Sequence, residues 1–336
     1  MVKCAVGDDV YEDDPNVEVM QDALAEFFGK EAALYLPSGT QSNLCSIMTN
    51  CRVKGSSAIL GDKSHIYNYE RGGMAAIGSI FPQVISNQQD GTFSLEALKK
   101  MMPPPTEHIA QPSVICLENS HGGCNGATVG LDFVKEVKKV AKKQKLRMHL
   151  DGARLLNALV EQEIEPHEYV KPFDTVSICL SKGLGCPVGS VLLGKEKDIY
   201  YARNIRKMLG GGMRQAGMTA VCALVAFDDW NVVLKEDNAK AKQLAHLLES
   251  ENDFVACEAA SVKTNMLTFQ LLPSITKKKG SLDHQTLSRL LKEQHNILTL
   301  PSFFNDYVRV VTHRDVTVED VETTHKAILE VIKANI

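Results

Sequence analysis

Long apolar runs are missing from this 336-residue chain. No stretch approaches the roughly 18 residues of a membrane-spanning helix. Tryptophan occurs once. Positive charge is not in excess: 37 lysines and arginines stand against 41 aspartates and glutamates, a net charge of −4, so no cationic stripe is available to follow a nucleic-acid backbone. No block of like charge marks a disordered tail. The nine cysteines include no Cys-x-x-Cys pair, and Cys45/Cys51 and Cys116/Cys124 repeat no zinc-ligand spacing, so no metal site is expected. Met1-Val2-Lys3-Cys4 runs straight into the acidic stretch Asp8–Asp14, the pattern of neither a secretory signal nor a transit peptide. The expectation is a cytoplasmic protein with reduced, mostly buried thiols and neither a nucleic-acid nor a membrane partner.

What is present is ordinary for a globular chain, 44% apolar and 23% charged, and the length suggests about two domains. Val17, Met20, Leu24, Phe27 and Phe28 recur at helical steps before Gly29. Ala33–Leu36 reads as a short strand closed by Pro37 and a Ser-Gly-Thr turn. Helices are predicted near 43–54 and 94–102, the second stopped by the prolines at 103–105. Ala58–Leu60, Ser113–Leu117, Arg147–Leu150, Thr175–Leu180 and Ser190–Leu193 read as apolar strands, with a helix marked by Phe133, Val134, Val137, Val140 and Ala141 between them. Apolar strands alternating with helices predict a largely parallel sheet covered on both faces. Past Trp230 the pattern changes to a long polar-faced helix near 231–250, strands at Met266–Leu272 and Val308–Val311, and a capping box at Thr317–Asp320. The predicted domains are therefore 1–230, large and α/β, and 231–336, small and α+β.

In open α/β sheets, ligands bind beyond the carboxyl ends of the strands. There this sequence places Ser38-Gly39-Thr40, Glu118-Asn119, Asp151-Gly152-Ala153-Arg154 and Ser181-Lys182-Gly183. Each alone is weak: a Ser-Gly-Thr turn is commonly a plain helix cap, a strand-end aspartate likewise, and a strand-end lysine is usually solvated. Together they suit pyridoxal phosphate. That cofactor needs an anion cradle at a helix N-terminus (Ser38, Gly39, Thr40). It needs a lysine that can form a Schiff base with its aldehyde (Lys182). It also needs a carboxylate that keeps the pyridine nitrogen protonated (Asp151). Asp151 and Lys182 are separated by enough chain for one strand–helix–strand crossover.

The runs Val6–Tyr11, Leu36–Gln41, His65-Ile66-Tyr67 with Tyr69-Glu70, Glu118–His121, Asp151–Arg154, Leu180–Ser190, Gly210–Gln215 and Val308–His313 resemble the threonine aldolases, in collinear order over nearly the whole chain. The Ser-Lys-Gly-Leu-Gly and Gly-Gly-Gly-Met-Arg-Gln segments carry most of the specificity. The resemblance implies an aspartate-aminotransferase-like α/β fold of type I, with a large domain built on a mostly parallel sheet and a small C-terminal α+β domain. It implies pyridoxal 5'-phosphate as cofactor and cleavage of threonine and allo-threonine to glycine and acetaldehyde. It also implies a homotetramer, a dimer of dimers, with active sites at a dimer interface.

By the same resemblance, Lys182 is the Schiff-base lysine and Asp151 the partner of the pyridine nitrogen. Gly39 and Thr40 form the phosphate turn, and Arg214 reaches the phosphate from the neighbouring subunit. Arg154 lies near the cofactor's phenolic oxygen and the substrate carboxylate, and Arg309 clamps that carboxylate. His65 stacks on the pyridine ring, His108 is a second active-site histidine, and Tyr69 lines the site. Either histidine could serve as the base for the β-hydroxyl proton. His121 also falls in a motif but is read chiefly as packing, and Glu118-Asn119 as a cap. The family's Arg-Ser-Asp-Thr-Val-Thr segment has no counterpart among the five residues before Val6, and Glu12 stands where a glycine is usual. The expectation from this is cofactor binding with weak threonine cleavage. An aldolase for bulkier β-hydroxy amino acids and a non-catalytic paralogue are the alternatives.

Overall fold

The computed structural model describes residues 4–276, 282–302 and 305–336. It divides into two compact units, one formed by Met1–Cys124 with Thr128–Trp230 and the other by Asn125–Ala127 with Asn231–Ile336.

The first unit is built on a seven-stranded sheet of β1 (Ala32–Leu36), β2 (Ser57–Gly61), β3 (Phe81–Ile85), β4 (Pro112–Glu118), β5 (Arg147–Asp151), β6 (Thr175–Cys179) and β7 (Ser190–Gly194), in the order β1-β7-β6-β5-β4-β2-β3. From β3 to β6 each neighbouring pair is parallel, whereas β7 is antiparallel to both β6 and β1. The reversal follows from length. The connection 180–189 is shorter than the dozen or more residues a parallel crossover requires, so the chain turns back. β2, β6 and β7 are buried at every position, as strands covered on both faces must be.

Helix α1 (Pro15–Phe27) opens on Asp14, whose carboxylate accepts the Asn16 and Val17 N–H groups, and buries Val17, Met20 and Leu24. Helix α2 (Gly39–Asn50) starts four residues before the predicted 43–54 and ends earlier. The apolar spacing of Leu44 and Ile47 marks only its middle. Its start is decided by Ser38, whose hydroxyl caps the Gln41 N–H at 3.2 Å. β3 was not anticipated, because its alternation is interrupted by Pro82.

The second unit carries an antiparallel sheet, β10 (Leu300–Pro301), β11 (Val308–Val311), β9 (Met266–Leu271) and β8 (Val255–Ala256) in that order, with helices Trp230–Glu249, His284–His295 and Val318–Ala334. Leu244, Leu248, Phe269, Leu287, Ile328 and Val331 belong to its core. The predicted capping box is formed: Thr317 N donates to Asp320 Oδ2 at 2.8 Å, and Asp320 N to Thr317 Oγ1 at 3.1 Å. Among the described residues the cysteines are thiols rather than disulfides.

Candidate active site

The carboxyl ends of β4, β5 and β6 lie side by side, with Glu118 in register with Asp151 and Asp151 with Ser177. Asp151, the last residue of β5, is 2% exposed. Its Oδ1 accepts the Ala153 N–H at 3.1 Å, and its Oδ2 accepts from Asn43 Nδ2 at 2.9 Å. The same amide of Asn43, on α2, donates to Glu70 Oε1 at 2.8 Å. Glu70 Oε1 also lies 3.0 Å from His65 Nδ1. His65 opens the short helix α3 (His65–Asn68), whose first N–H is held by Glu118 Oε2 at 2.7 Å. Glu118 Oε1 accepts the Gly122 N–H at 2.7 Å, so Glu118 acts as the cap the sequence suggested.

The electrostatics follow from these contacts. The hydrogen bond that His65 donates to Glu70, ahead of the opposing cost of burial, raises the His65 pKa above its ordinary value. Burial raises Glu70, partly offset by His65. The atoms that His65, Glu70 and Asp151 could offer to a metal ion converge within 4.8 Å of one another. The Asn43 amide already bonds both carboxylates, which makes this a cross-linked polar cluster.

Lys182 lies just past β6 in the loop to β7, half-buried, and its ammonium forms no hydrogen bond or ion pair among the described residues. Cys179, at the end of β6, senses the whole group. Burial pushes its thiol up, Lys182 and Arg154 pull it down, and Asp151 adds to the rise. The charges of Lys182, Asp151 and Arg154 are therefore all felt at one strand end. The first turn of α2 comes against it as well, since a Cβ at Gly39 would stand 2.7 Å from Cys179 Sγ. Only glycine permits that approach. The Gly39 and Thr40 N–H groups are in the helix's first turn, where no intrahelical acceptor exists.

Other residues named from the sequence stand as follows. Tyr69 is half-exposed, its ring 5.7 Å from that of His65. Arg214 is exposed, bonds Asp8 Oδ2 through Nε at 2.6 Å, and lies over the Tyr11 ring. Arg309 is on β11 of the second unit, opposite Leu300 and Thr268. His108 is not brought to the group within the chain. It is exposed and precedes the amino end of β4, whereas the site residues follow the carboxyl ends, roughly 20 Å away along that strand. The histidine after β4 is His121, which is buried with an Nδ1 that lacks a hydrogen-bond partner. Position along the strand, which counting residues between histidines cannot supply, separates the two. Sequence reading also missed Asn43 and the role of Glu70. The available signal was a helix carrying Ser42, Asn43, Ser46, Thr49 and Asn50 between two apolar strands. A separate cleft of about 340 Å³, lined by Asp9, Asp14, Glu18, Asp22, Glu31 and Arg203 among others, contains none of these side chains.

Residues 1–272 match the family described as Beta-eliminating lyase. The chain belongs to that family. It is 39% identical to Low-specificity L-threonine aldolase 1 of Arabidopsis thaliana over 327 residues, covering 96% of this chain and 89% of that protein. It is 37% identical to the Low specificity L-threonine aldolase of Escherichia coli K12, covering 96% of this chain and 90% of that protein. Among solved structures, the threonine aldolase of Leishmania major superposes with a TM-score of 0.75 at 17% identity, covering 98% of this chain and 92% of that one. That likeness shows the fold, the aspartate-aminotransferase-like type I architecture.

Proposed function

We propose that this lyase is a pyridoxal-phosphate-dependent aldolase that cleaves L-threonine and L-allo-threonine to glycine and acetaldehyde, within threonine breakdown and glycine formation. The observation that carries the reading is the meeting of an unpartnered amine, Lys182, with a buried acid, Asp151, around the end of β6. The open N-terminus of α2 lies against the same strand end. Those three features fit the aldehyde, the pyridine nitrogen and the phosphate of the cofactor. When bound, the cofactor supplies an electron sink for the carbon–carbon bond that breaks.

The chain's own residues do the rest. Lys182 would hold the cofactor through its aldehyde. Asp151 keeps the ring nitrogen protonated, and Ser38, Gly39 and Thr40 hold the phosphate with backbone and hydroxyl donors. Arg214 adds a donor to the phosphate from a neighbouring subunit of a homotetramer. Arg154 and Arg309 hold the substrate carboxylate, where a guanidinium fork fixes orientation as well as charge. His65 has Nδ1 engaged with Glu70, which leaves Nε2 to accept the β-hydroxyl proton. His108, exposed before β4, is kept as a second histidine for a site completed by a neighbouring subunit. The predominance of buried thiols favours a reducing compartment such as the cytoplasm.

The test is to load the purified protein with pyridoxal phosphate, record its visible absorbance, and measure glycine with the aldehyde released, acetaldehyde from L-threonine and L-allo-threonine and benzaldehyde from phenylserine. Both products from the first two substrates are expected. A loaded protein that releases neither product from any of the three would overturn the reading.

A further inference from the structure

The hydrogen bonds behind Asp151 run in one direction, and their origin lies deep in the sheet. A carboxylate only accepts, and Asn43 Nδ2 lies 2.8 Å from Glu70 Oε1 and 2.9 Å from Asp151 Oδ2, so both amide hydrogens are committed there. Asn43 Oδ1 must then face the other way. What it faces is His149 Nε2, at 3.1 Å, so that nitrogen carries the hydrogen. His149 Nδ1 in turn accepts from Ser46 Oγ at 2.8 Å. The Thr175 carbonyl, 3.2 Å from Nδ1, would favour a proton there instead. Both protons together would make a cation in a fully buried ring whose pKa burial pushes down to about 4, so His149 stays neutral. Ser46 Oγ lies 2.7 Å from Thr175 Oγ1, which accepts from Asn50 Nδ2 at 2.8 Å. Thr175 can therefore donate to Ser46, Ser46 to His149, His149 to Asn43, and Asn43 to the two acids.

We propose that Asn43 is a positioning residue, held in one orientation by His149 and Ser46, that fixes Asp151 as the anionic seat of the cofactor's ring nitrogen and ties it to the Glu70–His65 pair. The inference rests on the function proposed above. Asn43, Ser46, His149 and Thr175 are all buried, and an apolar set could fill the same volume without any requirement for exact partners. The chain of donors ends on two acids, and its last link is neutral. Glu70 finds a counter-charge in His65, whereas Asp151 forms no ion pair among the described residues. The other ionisable groups near the cluster are Glu118 and the buried Cys116 thiol from β4, with Lys182 and Arg154 acting on the neighbouring Cys179. The seat is thus built to hold a negative charge that awaits a cationic partner.

Two measurements test this on the full chain. The first is the cofactor dissociation constant of Asn43→Asp together with the pH titration of its visible absorbance. The variant keeps the shape, removes both donors and adds a third acid. Affinity for pyridoxal phosphate is expected to fall about ten- to a hundredfold, since hydrogen bonds to charged groups are worth roughly 1.5–3 kcal/mol each. The absorbance titration is expected to move, which loss of packing alone would not cause. The second uses the wild-type protein labelled with ¹⁵N at histidine, so it does not depend on a variant folding. His149 is expected to be neutral, with its proton on Nε2, from pH 6 to 8. A proton on Nδ1, or an Asn43→Asp protein with unchanged affinity and titration, would overturn the inference while leaving the proposed function standing. A wild-type protein that binds no pyridoxal phosphate would instead remove the function, and the tautomer would still judge the orientation of Asn43.

Discussion

Asp151 of the first unit and Asp237 of the second are both buried, and their partners differ. In the second unit Asp237, 0% exposed, lies 2.8 Å from Lys240, one turn along the same helix. The spare hydrogens of that ammonium go to the carbonyls of His313 and Val316, at 3.0 and 2.9 Å. Burial raises the Asp237 pKa and Lys240 opposes the rise. The counter-charge is supplied locally by Lys240, although neither carboxylate oxygen accepts a hydrogen bond among the described residues. In the first unit Asp151 is held by a backbone N–H and by an amide from another element, both neutral. A buried ion pair completed within one helix is architecture. A buried acid whose direct hydrogen-bond partners are neutral donors from other parts of the chain is free to take a further, cationic partner.

The sharpest break between the two regions is expected from Lys182→Ala. Removing an amine without a partner costs no native contact, so the fold should persist while glycine release from threonine falls to background. Residual turnover near wild type would remove Lys182 from the site. Asp237→Asn should do the opposite. It leaves a buried ammonium without its counter-ion, which costs about 3–5 kcal/mol in urea unfolding, with kcat per loaded site unchanged. A stable Asp237→Asn protein with lowered kcat would erase the contrast.

Asp151→Asn should reduce kcat about a hundredfold, by analogy with the loss of one preorganised electrostatic group, with a smaller change in KM and little loss of stability. Steady-state kinetics beside urea midpoints read both at once. The smallest effect is on pH dependence. If neutral His65 accepts the proton, kcat/KM rises with pH as the imidazolium deprotonates, and because Glu70 raises that pKa the rise lies above the ordinary 6.5. Glu70→Gln should move it to lower pH. A profile that stays where it was would separate His65 from the rate.

Several parts of this arrangement were legible without coordinates. β4, β5 and β6 were visible as apolar runs, and the residues they deliver, Glu118, Asp151 and Lys182, were found at or just past their ends. Local rules suffice there, since a buried strand ends where polar residues resume. The Thr317–Asp320 box was legible for the same reason. The start of α2 was not, because a polar first turn carries no periodicity and only the Ser38 cap marks it. Which end of β4 His108 and His121 adjoin was not legible, because both lie in loops and nothing in their spacing tells it.

By itself, then, the sequence determined the alternation that makes the sheet, the strand ends that carry charge, and the residue types suited to an aldehyde, a ring nitrogen and a phosphate. These depend on near neighbours in the chain, where periodicity and capping act. The tertiary structure alone decided that His121 rather than His108 follows the carboxyl end of β4, and that Asn43, His149 and Ser46 stand behind Asp151. Asn43 and Asp151 are 108 positions apart. A hydrogen bond across that separation leaves no local pattern. It exists only because α2 packs on β5 and β6 with its polar residues inward, and a polar group buried there must find its partner on whatever strand the fold brings to it.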